Sequence, residues 1–381
     1  MSEPLVVIGN GMAAARLVEE LGRVALGRYS VLVVGAEPHL AYNRVLLSSV
    51  LAGEMGREET ELRPLSWWQR QGVTLVYGRK AIAIDRDRRE VRLDDGRTLP
   101  YARLVLATGS DPIRLPKPGM DLPGVVTFRD HADVDAMLEA AGPTRRAVVI
   151  GGGLLGIEAA SGLAAGGTRV TLVHLMDRLM ERQLDAEAAG LLKAALEARG
   201  ITVELGADTA AVTGEGRATG LRLADGRILP ADLVVCAVGI RPNAGLAREA
   251  GLATGRGILV DDRLATSDPA IHAIGECAEH RGICYGLVPA TSPAGRRPTK
   301  ARFWRPTSRS PAFRSSPPAS STAGRGRRPW SGAILASPPI ASWCCATAPS
   351  PAHSSTARRA TGPGISTSSA PAARSAQCAA T

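Results

Sequence analysis

The feature that most limits the fold is a glycine turn that occurs twice, each time between an apolar strand and a helix. Leu5-Val6-Val7-Ile8 runs into Gly9-Asn10-Gly11-Met12-Ala13-Ala14, a G-x-G-x-x-A pattern. Ala147-Val148-Val149-Ile150 runs into Gly151-Gly152-Gly153-Leu154-Leu155-Gly156, the full G-x-G-x-x-G. Apolar runs of this kind suit the central strands of a parallel sheet, which are buried on both faces. The glycines let the backbone approach a pyrophosphate, and the helix behind supplies N–H groups and the positive end of its dipole. The spacing predicts helices from about Ala13 toward Leu26 and through about Ala165. One such turn alone is a weak signal; two in one chain predict two dinucleotide sites.

More of the chain is duplicated. A second strand follows each helix: Val31 to Val34, ending near Glu37, and Arg169 to Val173, ending at His174. A carboxylate such as Glu37 is placed to accept hydrogen bonds from an adenosine ribose. Leu104-Val105-Leu106-Ala107-Thr108-Gly109 matches Leu233-Val234-Val235-Cys236-Ala237-Val238-Gly239, an apolar strand closing in a small-residue turn. Hairpin signals precede both strands, at Asp95-Gly96 and Asp225-Gly226. After the second copy, a strand ending at Gly275-Glu276 returns the chain to the first.

Charge divides the chain differently. All 36 acidic residues lie before residue 281, with 32 of the 46 basic ones, so the body carries −4 and the last 101 residues +14. A uniformly basic protein would suggest nucleic-acid or membrane partners; this body does not. No apolar run approaches the roughly 20 residues of a membrane span. The N-terminus reads as a strand and not as a secretory signal, so a cytoplasmic location is expected. Of six cysteines only Cys344 and Cys345 are close neighbours, and no C-x-x-C occurs. Neither a disulfide framework nor a metal site is predicted.

Together these elements resemble the FAD- and NAD(P)H-dependent flavoproteins of the pyridine nucleotide–disulfide oxidoreductase superfamily, over residues 4 to about 288. Finer stretches resemble one branch, the flavoprotein portion of the NAD(P)H-dependent nitrite reductase large subunit. They are Ile8 to Met12, Ala41 to Ser49, Gly152 to Ala160 and Gly275 to Ala278. Rubredoxin or ferredoxin reductases and nitrate reductase electron-transfer subunits share much of the pattern and stand as the alternative. The resemblance implies an α/β fold in three layers with two Rossmann-like domains. An FAD domain (1–114 and 243–288) would carry an inserted NAD(P)H domain (115–242). It also implies hydride transfer from NAD(P)H to FAD and onward transfer to an acceptor, either a siroheme or iron–sulfur domain or a rubredoxin-like protein. The redox cysteines of the disulfide-reducing relatives are missing, since the first cysteine is Cys236. Electrons must therefore leave for an external acceptor or another domain.

The expected FAD contacts are Gly9, Asn10, Gly11, Met12, Ala13, Glu37, Ala107, Thr108, Gly109, Gly275 and Glu276, the last facing ribityl hydroxyls. Family likeness adds Tyr42, Asn43 and Arg44. Arg44 would pair with the pyrophosphate or stabilise reduced flavin. The expected NAD(P)H contacts are Gly151, Gly153, Leu154, Leu155, Gly156, His174 and Gly239. Glu158, in the first turn of the second helix, resembles a family residue near the nicotinamide, so Arg44 and Glu158 are the candidate catalytic residues. An acid at the end of the second strand favours NADH and an arginine favours NADPH; the position holds His174, with Asp177 and Arg178 just after, so neither rule applies cleanly. Cys277 reads as a small buried residue, and Trp67-Trp68 as packing for a helix. A side chain at Gly9 or Gly11 would stand in the pyrophosphate's place.

From about residue 289 onward the chain holds no Asp or Glu and abundant Ser, Pro, Ala and Arg. Such a composition cannot build a core and reads as disordered. In the resembling family this region is a third domain that covers the flavin and makes a homodimer contact. Codon degeneracy permits an ordinary apolar sequence in another frame over Arg302–Ala319 and Gly362–Ser369. A frame slip between about Leu287 and Arg302 is therefore expected, and with it a doubtful dimer for this chain. A genuine basic tail would instead suggest a redox-sensing or nucleic-acid-binding protein.

Overall fold

The computed structural model describes residues 2–25 and 27–284. The expectations for the basic tail, its frame and the segment just before it lie outside these residues.

Two five-stranded parallel sheets share one plan. In the first, the central strand Glu3–Ile8 is flanked by Tyr29–Gly35 and Arg103–Leu106. Val73–Tyr77 and Ile271–Ala273 form the edges. In the second, the central strand Arg146–Ile150 is flanked by Arg169–Val173 and Leu233–Cys236. Its edges are Thr202–Glu204 and the short Val125–Val126. The registers correspond as well: Ile8 stands opposite Leu106, and Ile150 opposite Cys236. Ile271–Ala273 joins the first sheet only after the second is complete, as the Gly275-Glu276 signal implied. The chain crosses over at Ser110–Pro112 and crosses back at Ile240–Pro242, and these two stretches pair antiparallel.

The helices Met12–Val24 and Leu154–Ala165 follow the two glycine turns. The first buries Ala14, Leu17, Val18 and Leu21, a stripe at helical spacing. The second is apolar on most faces and buries Ile157, Ala159, Ala160 and Leu163. Gly162 lets it close on the short helix Leu47–Leu51, because a β-carbon there would lie 2.9 Å from Leu51. Helix Leu65–Arg70 lays Trp68, 0% exposed, in the core beneath the first sheet, as the paired tryptophans suggested. Each sheet also carries a three-stranded antiparallel excursion, Ala81–Pro100 and Thr209–Pro230. Gly96 (φ +86°) and Gly226 (φ +89°) make their turns, in the left-handed region that glycine alone enters freely. Among the described residues no helix is long and apolar enough to cross a membrane.

Candidate functional site

The first glycine turn is shaped by backbone crowding. Gly9 has φ +111°, and a β-carbon on it would lie 2.1 Å from the Ala107 carbonyl oxygen. Gly35 abuts Asn10 and Gly275 abuts Ala13, at 2.6 and 2.9 Å by the same measure. Four strand ends and one helix start are thus drawn together at the C-terminal end of the sheet. Gly11 differs: it caps the helix, and a β-carbon there meets nothing within 4 Å. The crowding corrects the steric reading of Gly9. Its glycine answers to the Ala107 backbone, and only Gly11 faces open space.

That space belongs to a cavity of about 470 Å³. Its walls hold Gly9 to Ala13, Glu37, Tyr42, Arg44, Ala107 to Gly109, Gly275 and Glu276. Asn43 is not part of the wall. Its Oδ1 accepts the Val45 N–H at 3.1 Å and caps the short turn that carries Arg44. Asn10 donates through Nδ2 to the His39 carbonyl at 3.1 Å, while its Oδ1 is buried without a partner. A buried acceptor left open, and a turn whose one accessible Cβ position is empty, fit a polar ligand lying across the helix N-terminus.

The charges around the cavity form a connected set. Tyr42 Oη donates to Glu37 at 2.6 Å, and Arg44 pairs with the same carboxylate. Arg44 also donates to the Arg129 carbonyl at 2.9 Å and lies over the Tyr42 ring, 5.0 Å from its centroid. Burial, together with the Glu37 hydrogen bond and against the pull of Arg44, pushes the Tyr42 phenol well above its ordinary pKa. Arg129 pairs in turn with Glu276 and donates to the Ser110 hydroxyl at 2.9 Å; Ser110 donates to Glu276 at 2.5 Å. Arg129 lines the same cavity. Sequence reasoning missed it because no local motif marks it. Two ion pairs, Glu37–Arg44 and Arg129–Glu276, thus stand in the cavity wall, joined through the Arg129 carbonyl, a set able to exchange partners with a ligand carrying hydroxyls and phosphates.

The second turn repeats the crowding. Gly151 has φ +118°, and a β-carbon there would lie 2.3 Å from the Ala237 carbonyl oxygen; on Gly156 it would lie 1.8 Å from the Gly151 oxygen. Gly153 caps its helix with nothing within 4 Å, as Gly11 does. Leu154 is exposed, Leu155 packs against the core, and Gly239 (φ +124°) lies in the turn after the neighbouring strand. His174 is buried under the turn, where Nδ1 accepts the Gly152 N–H at 3.0 Å. That bond assigns the other ring nitrogen as the N–H, which donates to Glu181 at 3.1 Å.

Glu158 stands one turn into this helix. Among the described residues it forms no ion pair or hydrogen bond, and burial alone raises its pKa from 4.5 to about 7. An isolated, half-buried carboxyl poised near neutrality is suited to holding or moving a proton. The thiols of Cys236 and Cys277 are not. Cys277 is fully buried, its Sγ 3.2 Å from the Ile274 oxygen and 3.4 Å from that of Leu106, and burial raises its pKa. Cys236 is likewise buried and raised.

Comparison with known proteins places this geometry. Residues 3–299 match the family described as pyridine nucleotide-disulphide oxidoreductase. The chain is 48% identical over 284 residues to the nitrite reductase [NAD(P)H] of Bacillus subtilis, covering 74% of this chain and 35% of that protein. It is 38% identical over 282 residues to the biphenyl dioxygenase system ferredoxin–NAD(+) reductase component of Paraburkholderia xenovorans, covering 73% and 68%. It superposes on the crystal structure of the covalent putidaredoxin reductase–putidaredoxin complex with a TM-score of 0.69 at 31% identity, covering 73% and 68%. The chain spans about a third of the length of the Bacillus nitrite reductase, 35%.

Proposed function

This chain belongs to the pyridine nucleotide-disulphide oxidoreductase family and is an FAD- and NAD(P)H-dependent oxidoreductase; we propose that it is the electron-input module of a nitrite-reducing system, with FAD on the first glycine turn and NAD(P)H on the second. When bound, FAD supplies the two-electron chemistry between the nucleotide and the onward acceptor. The chain's own residues bind and orient.

The amides behind Gly11, with Arg44 and Arg129, would hold the pyrophosphate. Glu37 and Glu276 would accept hydrogen bonds from ribose and ribityl hydroxyls, each releasing the arginine it now holds. The amides behind Gly153 would hold the second pyrophosphate. Glu158 would hold its proton at the carboxyl beside the second turn until about neutral pH. The half-buried carboxyl of the second turn, and the burial of Cys236 and Cys277 with raised pKa values, support a route that bypasses cysteine.

One observation carries this reading: two turns with the same Gly-to-carbonyl crowding, at 2.1 and 2.3 Å, and the same open helix cap. Gly11→Val should lose flavin on purification. Gly153→Val should keep flavin but fail to have it reduced by NAD(P)H under anaerobic conditions. The reverse pattern would swap the two sites.

The 48% identity to a nitrite reductase, of which this chain covers 35%, supports an onward acceptor of nitrite-reductase type. The isolated chain should reduce ferricyanide with NAD(P)H and leave nitrite untouched. A ferredoxin-like protein is the second reading. It is supported by the ferredoxin reductase component at 38% identity, which this chain covers to 68% of its length. Reduction of an added ferredoxin at rates matching ferricyanide would favour it.

A further inference from the structure

The end of the second strand is where an NAD site places its acid, and here that place holds a histidine. His174 cannot act as that group. It is buried, and both ring nitrogens are committed, Nδ1 to the Gly152 N–H and Nε2–H to Glu181. Its effect is to hold a carboxylate beside the glycine turn from seven residues further along the chain. Glu181 Oε2 takes the imidazole. Oε1 lies 3.9 Å from the Arg182 Nε, beyond hydrogen-bond range, and the side chain is 26% exposed.

The cations nearby are poorly placed for a 2′-phosphate. Arg178 reaches back to the Glu181 carbonyl and to Asp177, at 3.5 and 3.4 Å. Arg182 is 86% exposed, where water and salt screen its charge. Asp177 is the competing acid, but at 80% exposure it is tied, among the described residues, to Arg178 and not to the turn.

Resting on the second turn as the pyridine nucleotide site, we propose that Glu181, positioned by His174, accepts the adenosine ribose hydroxyls and makes NADH the preferred nucleotide over NADPH. A carboxylate at this point gains hydrogen bonds from a 2′,3′-diol and repels a 2′-phosphate.

The test is fluorescence titration of the full chain with NADH and with NADPH, with a thermal melt as the folding check. The unaltered chain should bind NADH at least about tenfold more tightly, the scale of one hydrogen bond to a charged group. Glu181→Gln should cut that ratio to within about threefold, chiefly by weakening NADH. His174→Asp added to Glu181→Gln should restore the preference by returning an acid to the strand end. Should Glu181→Gln melt early, Glu181→Asp, which keeps the charge but withdraws it, should narrow the ratio without unfolding. Equal weakening of both nucleotides would reduce Glu181 to loop support and overturn the proposal. So would a preference that moves with Asp177→Asn and not with Glu181. Unchanged binding of both nucleotides in Gly153→Val would instead overturn the site assignment itself, a separate failure.

Discussion

A β-carbon on Gly9 would lie 2.1 Å from the carbonyl oxygen of Ala107, so the first turn and the neighbouring strand end touch through backbone alone. Gly9 and Gly11 therefore resist substitution for different reasons. Gly9→Ala should cost fold stability, by about 2 kcal/mol or more, because strained φ and a backbone clash act together. Gly11→Ala should leave the melting temperature near that of the parent and lower flavin occupancy. Denaturant titration and the flavin-to-protein absorbance ratio read the two effects separately. Equal stability loss in both variants would contradict the distinction.

Arg129 should matter to flavin retention although no sequence motif includes it. Its guanidinium holds Ser110 and Glu276 at the cavity wall. Arg129→Ala should weaken FAD binding about tenfold or more, by removing a cation that would face the pyrophosphate. Arg129→Lys should recover only part, since a single ammonium cannot bridge both partners. Equilibrium dialysis against FAD checks the order; parental affinity in Arg129→Ala would refute it.

Glu158 predicts a pH signature. Its folded-state pKa of about 7 lies above the ordinary 4.5, so between those values the folded chain binds the extra proton. Stability then falls as pH rises through that window, and above about pH 7 the full cost of a buried carboxylate is present. Glu158→Gln removes the cost. Relative to the parent it should gain about 1–3 kcal/mol in going from pH 4.5 to 8, after allowance for partial exposure. Midpoints of urea unfolding across that range measure it. A constant difference between the two proteins would show that Glu158 titrates normally.

Thiol chemistry should be peripheral. Cys236 and Cys277 are buried with raised pKa values, and Cys284 is the most accessible of the three described. Iodoacetamide under native conditions should modify Cys284 well before the other two and leave NAD(P)H-dependent flavin reduction intact. A thiolate-to-flavin charge-transfer band in the two-electron-reduced protein would contradict this.

What the chain's sequence determined alone was whatever depends on neighbours along the backbone. The two turns were legible because close backbone approach and positive φ admit only glycine, and Asp95-Gly96 and Asp225-Gly226 marked hairpins for the same reason. The apolar runs identified the central strands, and the Gly275-Glu276 signal foretold the return to the first sheet. Tertiary structure decided what joins distant residues. Arg129 meets Glu276 across 147 positions, and no local pattern could announce that pair. The paired crossings at Ser110–Pro112 and Ile240–Pro242, and the edge strand Val125–Val126, are too short to leave a periodic signal. His174 read as a nucleotide contact on position. Only packing turned its ring beneath Gly152 and brought Glu181 to it, because burial and hydrogen-bond partners belong to the folded surroundings and not to the residue.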